Sequence, residues 1–322
     1  MKVVRIHETG GPEVLKVEEA PVPAPGPGEV LIRHHAIGLN FIDTYHRSGL
    51  YPLPLPAVPG LEGAGTVEAV GTGVTTLAPG DRVAYGAGPP GAYAEYRVIP
   101  AGRVARLPAE IDFETAAAMM LKGLTAWYLL RETFRVKAGD AILFLPAAGG
   151  VGLIAGQWAK ALGAVTIGAC AAAKAEKARA HGYDHVIAYD VEDMAARVRE
   201  ITNGRGVDVV YDGVGAATFT ASLDSLRKRG LMVSFGNASG PVTGVNLGIL
   251  AEKGSLYLTR PVLMHYVEGD DDLARACGEL FAMVTSGKVR ISVDQRYPLA
   301  EAARAHADLE ARRTTGQTVL IP

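Results

Sequence analysis

The sequence contains little cysteine: of its 322 residues, only Cys170 and Cys277 are cysteines. Two thiols cannot form a four-cysteine zinc cluster, and they provide no disulfide framework. So few cysteines are typical of a protein from a reducing compartment. We therefore expect a cytoplasmic location.

The sequence also lacks an excess of charge and any long apolar run. Its 32 Lys and Arg residues nearly balance 34 Asp and Glu residues, which leaves a formal net charge of −2. This balance argues against a nucleic-acid partner and against a polybasic membrane protein. No stretch resembles a signal peptide or a transmembrane helix, so we expect no membrane association.

Glycine and aliphatic residues are plentiful, with 39 glycines and a hydrophobic fraction of 48%. That fraction is ample for sizeable cores, and a chain of this length suggests two domains. In the first part, short apolar runs are separated by Pro and Gly, for example at residues 29–36, 65–70 and 81–85. Such runs predict a small, partly closed antiparallel domain.

A helical pattern begins near Phe113 and extends to Phe134, with an expected interruption at Lys122 and Gly123. Near-continuous apolar strands then alternate with helices, which predicts a doubly wound parallel sheet covered on both faces. The six predicted strands are residues 141–146, 164–169, 185–189, 207–212, 230–236 and 255–260. The helix before the fifth strand is expected at residues 216–227.

The C-terminal part returns to the character of the first. An acidic linker is expected at residues 268–272, and the strands that follow are too few for a separate domain. We therefore predict an α/β protein in which a Rossmann domain, residues 123–265, is inserted into a β-rich catalytic domain. Residues 1–122 and 266–322 form that catalytic domain.

A glycine-rich turn at residues 146–152 follows the first strand of the alternating block and opens its first helix. Small residues there allow a tight turn, close approach of a pyrophosphate, and close packing of helix on sheet. The first glycine of the Gly-x-Gly-x-x-Gly pattern is replaced by Ala147, so the assignment depends on context. The predicted contacts are Ala148, Gly149, Gly150, Val151 and Gly152; the alternative is a turn that only permits packing.

The second strand of this block indicates which cofactor is used. An NAD site usually has an acidic residue at its end, but residues 168–175 contain none and include Lys174. A lysine suits the 2′-phosphate of NADPH, whereas a carboxylate would repel it. We predict NADPH as the cofactor; alternatively, Lys174 only lies in the solvated first turn of a helix.

The residues around the turn share one signature pattern: Gly139, Asp140, Leu143, residues 147–152, Gln157 and Lys160. This pattern resembles the signature of the zeta-crystallin-type quinone oxidoreductases of the medium-chain dehydrogenase/reductase superfamily. The resemblance covers the whole chain, with long matching strings at residues 38–52, 121–131 and 229–250. It implies a GroES-like, partly open barrel as the catalytic domain, and a homodimer that pairs through the sixth strand of the Rossmann sheet.

The resemblance also implies hydride transfer without zinc. Zinc-dependent relatives carry a catalytic Cys and a Gly-His-Glu motif, whereas this chain has Asn40 and Leu61 at the corresponding places. Neither side chain is a plausible zinc ligand. The adjacent His34 and His35 point to opposite faces of a strand, so we predict no metal site.

Without a Lewis acid, the acceptor has to take hydride easily, as a quinone or a conjugated carbonyl does. The candidate catalytic residues are Asn40, Asp43, Tyr45 and Tyr51, and we expect Asn40 and Tyr45 to face the nicotinamide and the substrate. Tyr45 is a candidate proton donor. Asp43 fits a helix cap equally well, and Tyr51 fits a wall of the pocket.

The resemblance implies further contacts to the cofactor beyond the turn. These are Asn40, Thr125, Tyr189, Gly215, Phe235, Asn237, Ser239 and Arg312. Tyr189 would flank the adenine, and the Gly/Ser-rich loop at residues 236–244 would close over the nicotinamide, unless it is an ordinary surface loop.

The leading hypothesis is an NADPH-dependent quinone reductase. One alternative is an NADPH-dependent reductase of the carbon–carbon double bond of an enal or enone. Another is a non-catalytic NADPH-binding protein, either crystallin-like or RNA-binding, although the charge balance argues against RNA.

Overall fold

The computed structural model describes all 322 residues, which form fifteen strands and ten α-helices. The strands are β1 (Lys2–Arg5), β2 (Lys16–Glu19), β3 (Glu29–Leu39), β4 (Glu62–Val70), β5 (Arg82–Tyr85), β6 (Tyr96–Pro100), β7 (Ala105–Arg106), β8 (Ala141–Leu145), β9 (Val165–Cys170), β10 (His185–Ala188), β11 (Val207–Asp212), β12 (Leu226–Ser234), β13 (Tyr257–Thr259), β14 (Val293–Pro298) and β15 (Gln317–Ile321). The helices are α1 (Phe41–Ser48), α2 (Phe113–Trp127), α3 (Gly150–Ala161), α4 (Ala175–Arg179), α5 (Met194–Ile201), α6 (Phe219–Ser225), α7 (Gly248–Glu252), α8 (Leu263–Tyr266), α9 (Asp270–Thr285) and α10 (Ala302–Glu310). None of these helices combines the length and apolar character needed to cross a membrane.

The chain divides into two compact units. The first unit comprises Met1–Leu124, Val267–Thr285 and Ile291–Pro322. The second comprises Thr125–Tyr266 and Ser286–Arg290.

The first unit is built on a seven-stranded sheet with the order β14-β15-β3-β4-β5-β7, and β6 also pairs with β3. All pairs are antiparallel except β14 with β15, which is parallel. Buried aliphatic and aromatic residues from these strands, including Ile32, Ile37 and Val83, form its core together with side chains of α10. The long central strand β3 ends at Leu39, so Asn40 and α1 follow at its carboxyl end.

The second unit contains the predicted doubly wound sheet, with six parallel strands in the order β10-β9-β8-β11-β12-β13. Every residue of β8 and β11 is buried, which explains their near-continuous apolar sequences. The strand order reverses between β8 and β11, where Leu145 and Asp212 stand side by side at the carboxyl ends. Open α/β sheets bind ligands at such a switch point. The predicted fold class is confirmed.

The interruption predicted at Lys122 and Gly123 is wrong, because α2 runs through both residues and continues as a π-helix at Tyr128–Thr133. Glycine weakens a helix by about 1 kcal/mol relative to alanine. Here packing overrides that preference. A Cβ at position 123 would lie 2.5 Å from Cδ1 of Leu280, so the missing methyl group makes room for α9.

Two other predicted boundaries are wrong for local reasons. The helix expected at residues 216–227 is only α6, because the Asp212 carboxylate holds the preceding turn and β12 already starts at Leu226. The acidic linker expected at residues 268–272 is largely helical. Asp270, Asp271 and Asp272 form the first turn of α9, where carboxylates complement the helix dipole.

Candidate active site

The carboxylate of Glu62, the first residue of β4, is the centre of a buried polar cluster in the first unit. Its Oε2 accepts hydrogen bonds from Nδ2 of Asn40 at 2.7 Å and from Nζ of Lys122 at 2.9 Å. Its Oε1 accepts the backbone N–H of Leu121 at 2.9 Å. Glu62 is completely buried, and Asn40 and Lys122 are only 6% exposed. Three donors from two other segments therefore meet on one carboxylate.

The ion pair between Glu62 and Lys122 is enclosed by the protein, so its two charges have lost their hydration. Such a pair is tolerated only when its geometry is good and the remaining lone pairs are satisfied. The hydrogen bonds from Asn40 and Leu121 satisfy the other lone pairs of the Glu62 carboxylate. Close packing adds a steric requirement at Gly38 on β3, where a Cβ would collide with the Glu62 carboxylate and the carbonyl of Ala117.

Asn40 and Asp43 begin α1. Asn40 is the N-cap residue, and Oδ2 of Asp43 accepts its backbone N–H at 2.9 Å. The hydroxyl of Tyr93 donates to the same Oδ2 at 3.0 Å. Burial raises the pKa of Asp43 to about 7, and its Oδ1 has no hydrogen-bond partner. Because the carboxyl group is fully enclosed, the structure favours the helix cap over direct contact with a substrate.

Tyr45 and Tyr51 form a small aromatic group next to these residues on α1. The Tyr45 ring lies 5.6 Å from that of Phe41 and 5.2 Å from that of Tyr51. The backbone N–H of Tyr51 donates to the carbonyl of Tyr45 at 3.1 Å, which fixes the loop against the helix. Both tyrosines are half-buried, so part of each ring is accessible. The structure thus gathers the four predicted catalytic residues around α1.

In the second unit, the glycine-rich turn leads from β8 into α3 with Gly149 as the N-cap. The N–H groups of Val151 and Gly152 lie in the first turn, where no carbonyl of the helix reaches them. A Cβ on Gly152 would collide with the carbonyl oxygens of Pro146 and Ala147. The predicted contacts Ala148 and Gly150 lie in the same turn. These donors and this lack of side chains fit a pyrophosphate.

Two residues that the sequence analysis missed support this turn. A Cβ on Gly168 of β9 would lie 2.7 Å from Cβ of Ala147, so Gly168 makes room for the alanine that replaces the first glycine of the pattern. The buried Tyr183 donates its hydroxyl to the carbonyl of Gly152 at 2.8 Å. The glycine at position 168 was the available sequence signal, because it stands in an otherwise apolar strand.

Asp212 organises the loops at the switch point and was also missed. Its buried carboxylate accepts the N–H groups of Val214 and Gly215 at 2.7 and 3.0 Å. It also accepts the hydroxyls of Thr218 and Ser222 at 2.7 and 2.8 Å. An acidic residue that ends a buried strand was the signal for this role, since it needs donors nearby.

The predicted contacts after β11 and β12 come together around this carboxylate. The hydroxyl of Ser239 donates to the carbonyl of Val214 at 2.8 Å. Gly215 has φ 95, and a Cβ there would lie 2.5 Å from the carbonyl of Gly240. The carbonyl of Asn237 accepts the N–H of Gly240 at 2.9 Å, while the Phe235 ring lies 5.5 Å from that of Phe144. Gly215, Phe235, Asn237 and Ser239 thus form one wall at the carboxyl ends of β11 and β12.

The other predicted cofactor residues lie elsewhere. Lys174 ends the short 3₁₀-helix Ala172–Lys174 that follows β9, and Tyr189 follows the neighbouring β10, with its N–H donating to Cys170 at 3.2 Å. These two residues therefore stand at adjacent strand ends. Thr125 lies near the end of α2, and Arg312 follows α10 in the first unit with φ 59.

Comparisons with known proteins agree with this architecture. An alcohol dehydrogenase GroES-like domain model matches residues 26–109, and a zinc-binding dehydrogenase model matches residues 181–320. The chain is 56% identical over 323 residues to a quinone oxidoreductase of Pseudomonas aeruginosa, which covers 100% of the chain and 99% of that protein. It is 46% identical to a 2-haloacrylate reductase of a Burkholderia species over 98% of both proteins. A structure of Escherichia coli quinone oxidoreductase complexed with NADPH matches with a TM-score of 0.98 and 52% identity over 100% of both chains.

Zinc appears in one of these family descriptions, but the residues present do not fit a zinc ion. No group of three or more His, Cys, Asp or Glu side chains could hold a metal. Asn40 donates its amide to Glu62, and the cation that Glu62 contacts is the ammonium of Lys122. The Glu62 oxygens are therefore already engaged by hydrogen-bond donors.

Breaking the buried ion pair should be costly on either side. Glu62→Gln leaves the Lys122 ammonium uncompensated, and Lys122→Met leaves the Glu62 carboxylate uncompensated. Each substitution should lower the free energy of unfolding by about 3–5 kcal/mol. The double variant should lose much less than the sum of the two losses. Urea denaturation of the four proteins measures this coupling.

The exposed ion pair between Glu114 and Arg296 provides the control for this cycle. Both side chains are more than a third exposed, so Glu114→Gln should change the free energy of unfolding by less than about 1 kcal/mol. Additive losses in the Glu62 and Lys122 cycle would show that the two charges are not coupled.

Proposed function

The chain belongs to the zeta-crystallin-type quinone oxidoreductases of the medium-chain dehydrogenase/reductase superfamily, and on that premise we propose that it transfers a hydride from NADPH to a quinone. The observations that support this proposal are the glycine-rich turn at the start of α3, with Lys174 after the next strand, and the polar cluster around Glu62, where no group of three side chains could hold a metal. The first unit would act as the catalytic domain and the second as the dinucleotide-binding domain.

NADPH, when bound, supplies the hydride. The turn at Ala148, Gly149, Gly150, Val151 and Gly152 would hold its pyrophosphate, with Lys174 at the 2′-phosphate and Tyr189 beside the adenine. The wall formed by Gly215, Phe235, Asn237 and Ser239 would enclose its nicotinamide end, and Thr125 and Arg312 remain predicted contacts.

In the first unit, the residues of α1 would prepare the acceptor for reduction. Asn40 is held by Glu62 through its side chain and by Asp43 through its backbone, so its position is fixed before any ligand binds. Such preorganisation lowers the barrier, because no group has to reorient as charge develops. The partly accessible Tyr45 is the proposed proton donor to the reduced oxygen, and Tyr51 would form a wall beside it.

A second candidate acceptor is an activated carbon–carbon double bond. The relative that is 46% identical over nearly the whole chain is a 2-haloacrylate reductase, so this scaffold is compatible with such a substrate. We place the quinone first because the relative with 56% identity is a quinone oxidoreductase.

We further propose a cytoplasmic homodimer. Strand β13 lies at the edge of the parallel sheet, and its Tyr257 and Leu258 are 62% and 36% exposed. An unpaired edge with exposed apolar side chains suits pairing with a second copy. A light-scattering mass of a single chain would contradict the dimer.

The proposed cytoplasmic location rests on the cysteines. Both thiols are free and buried, which fits a reducing compartment.

The acceptor is tested by following NADPH absorbance with 1,4-benzoquinone, 9,10-phenanthrenequinone and an alkenal in parallel. We expect rapid oxidation of NADPH with the quinones and slow or no oxidation with the alkenal. If only the alkenal is reduced, the acceptor is an activated carbon–carbon double bond and not a quinone. Tight NADPH binding without turnover of any acceptor would favour a non-catalytic protein.

The role of Lys174 is tested by its replacement with alanine. Loss of its charge should raise the KM for NADPH, because the 2′-phosphate loses a cation, and should leave the KM for NADH nearly unchanged. Lys177→Ala, one turn further along in α4, is the matched control and should change neither KM. Equal effects of Lys174→Ala on both cofactors would exclude a contact with the 2′-phosphate.

A further inference from the structure

A chain of buried hydrogen bonds leads from Asp43 to helix α10. The Tyr93 hydroxyl lies 3.0 Å from Oδ2 of Asp43 and 2.9 Å from Nε2 of His306. Nδ1 of His306 lies 3.3 Å from Nη1 of Arg47, whose guanidinium also binds both carboxylate oxygens of Glu310 at 3.0 and 2.6 Å. Asp43, Tyr93 and His306 are completely buried, and Arg47 is 2% exposed.

The chemistry of these groups allows one direction of donation along the chain. The Arg47 guanidinium has only donors, so Nδ1 of His306 has to accept. Burial, reinforced by the charge of Arg47, lowers the pKa of His306 to about 3, so the imidazole is neutral. Its single proton therefore lies on Nε2 and is donated to the Tyr93 oxygen. The Tyr93 hydroxyl in turn donates to Asp43.

The end of this chain is the N-cap of α1. Oδ2 of Asp43 accepts from both Tyr93 and the backbone N–H of Asn40, while its Oδ1 has no partner. Only these two donors fix the rotation of the carboxyl group. Without the Tyr93 hydroxyl, the Asn40 N–H would be the one donor left on the carboxyl group, which could then rotate more freely, and the bond that holds the Asn40 backbone would loosen.

We propose that Tyr93 and His306 are positioning residues of the reductase, which orient the Asp43 carboxyl group and through it hold Asn40 in place. Their importance for catalysis rests on the proposed function, whereas their effect on Asn40 does not. Asp43 lies three residues from Asn40 in sequence, but Tyr93 and His306 reach it from distant segments.

The charge state of Asp43 gives this arrangement a pH signature. Besides Tyr93, the charged groups that influence its pKa are Glu62 from β4, which raises it, and Lys122 from α2, which lowers it. On its own helix, Arg47 is bound to Glu310 and His306. The bond from Tyr93 favours the ionised form, so loss of the hydroxyl raises the pKa of Asp43 above its value of about 7.

The sign of the effect on catalysis follows from charge. Hydride transfer places negative charge on the acceptor, and an ionised Asp43 would give the cluster a net negative charge, because the charges of Glu62 and Lys122 compensate each other. We therefore expect kcat to fall as the pH rises through the pKa of Asp43. Removal of the Tyr93 hydroxyl should move that fall to higher pH.

The first test compares Tyr93→Phe with Tyr297→Phe. Tyr297 is also buried in the first unit and donates its hydroxyl to a carboxylate, that of Asp308 at 2.7 Å, but it has no bond to this chain. We expect Tyr93→Phe to lower kcat about tenfold, in line with the loss of one buried hydrogen bond, and to shift the pH profile upward. The KM for NADPH should stay within about twofold, and Tyr297→Phe should match the wild type.

The second test does not depend on turnover. Hydrogen exchange of the Asn40 amide, measured by NMR, should become at least about tenfold faster in Tyr93→Phe and stay unchanged in Tyr297→Phe. His306→Gln retains a side-chain N–H that can reach Tyr93, so it should exchange more slowly than His306→Leu, and this pair gives the answer if Tyr93→Phe does not fold. Identical Asn40 exchange in Tyr93→Phe and Tyr297→Phe would overturn the proposal. Failure of the wild type to reduce quinones would instead overturn only the proposed function.

Discussion

The carboxylate of Glu62 is the group on which the arrangement of the first unit depends. It is completely buried and accepts donors from the end of β3 and from the middle of α2. A buried charge with several partners fixes the positions of those partners, because the loss of any one hydrogen bond would destabilise the folded state. Asp212 has the same role in the second unit, where it accepts two backbone N–H groups and two hydroxyls at the switch point.

This arrangement is suited to an acceptor that needs no Lewis acid. At the positions where the resemblance to metal-dependent relatives implies zinc ligands, this chain has Asn40 and Leu61, and the cation beside Glu62 is a lysine ammonium. What the protein contributes is a buried hydrogen-bonded cluster around Glu62, which fixes Asn40 and the start of α1. A quinone delocalises the arriving charge onto oxygen, so it suits a site without a metal better than an unactivated ketone would.

The sequence predicted the features that depend on local patterns. Strands such as β8 and β11 were visible as apolar runs, and the turn at Gly149 and Gly152 was visible through its small residues. The continuity of α2 was not visible, because the packing of Leu280 against Gly123 overrides the low helix propensity of glycine. The partners of Asp43 were also hidden, since Tyr93 and His306 lie about 50 and 260 residues further along the chain and carry no spacing signal. Long-range polar contacts of this kind are set by the fold as a whole.

The most direct test of hydride transfer without a metal is to measure the zinc content of the purified protein alongside its quinone reductase activity, before and after exhaustive chelation. Our account predicts far less than one zinc ion per chain, the same kcat after chelation, and no gain on adding zinc. Loss of activity on chelation, with recovery when one equivalent of zinc is restored, would contradict it.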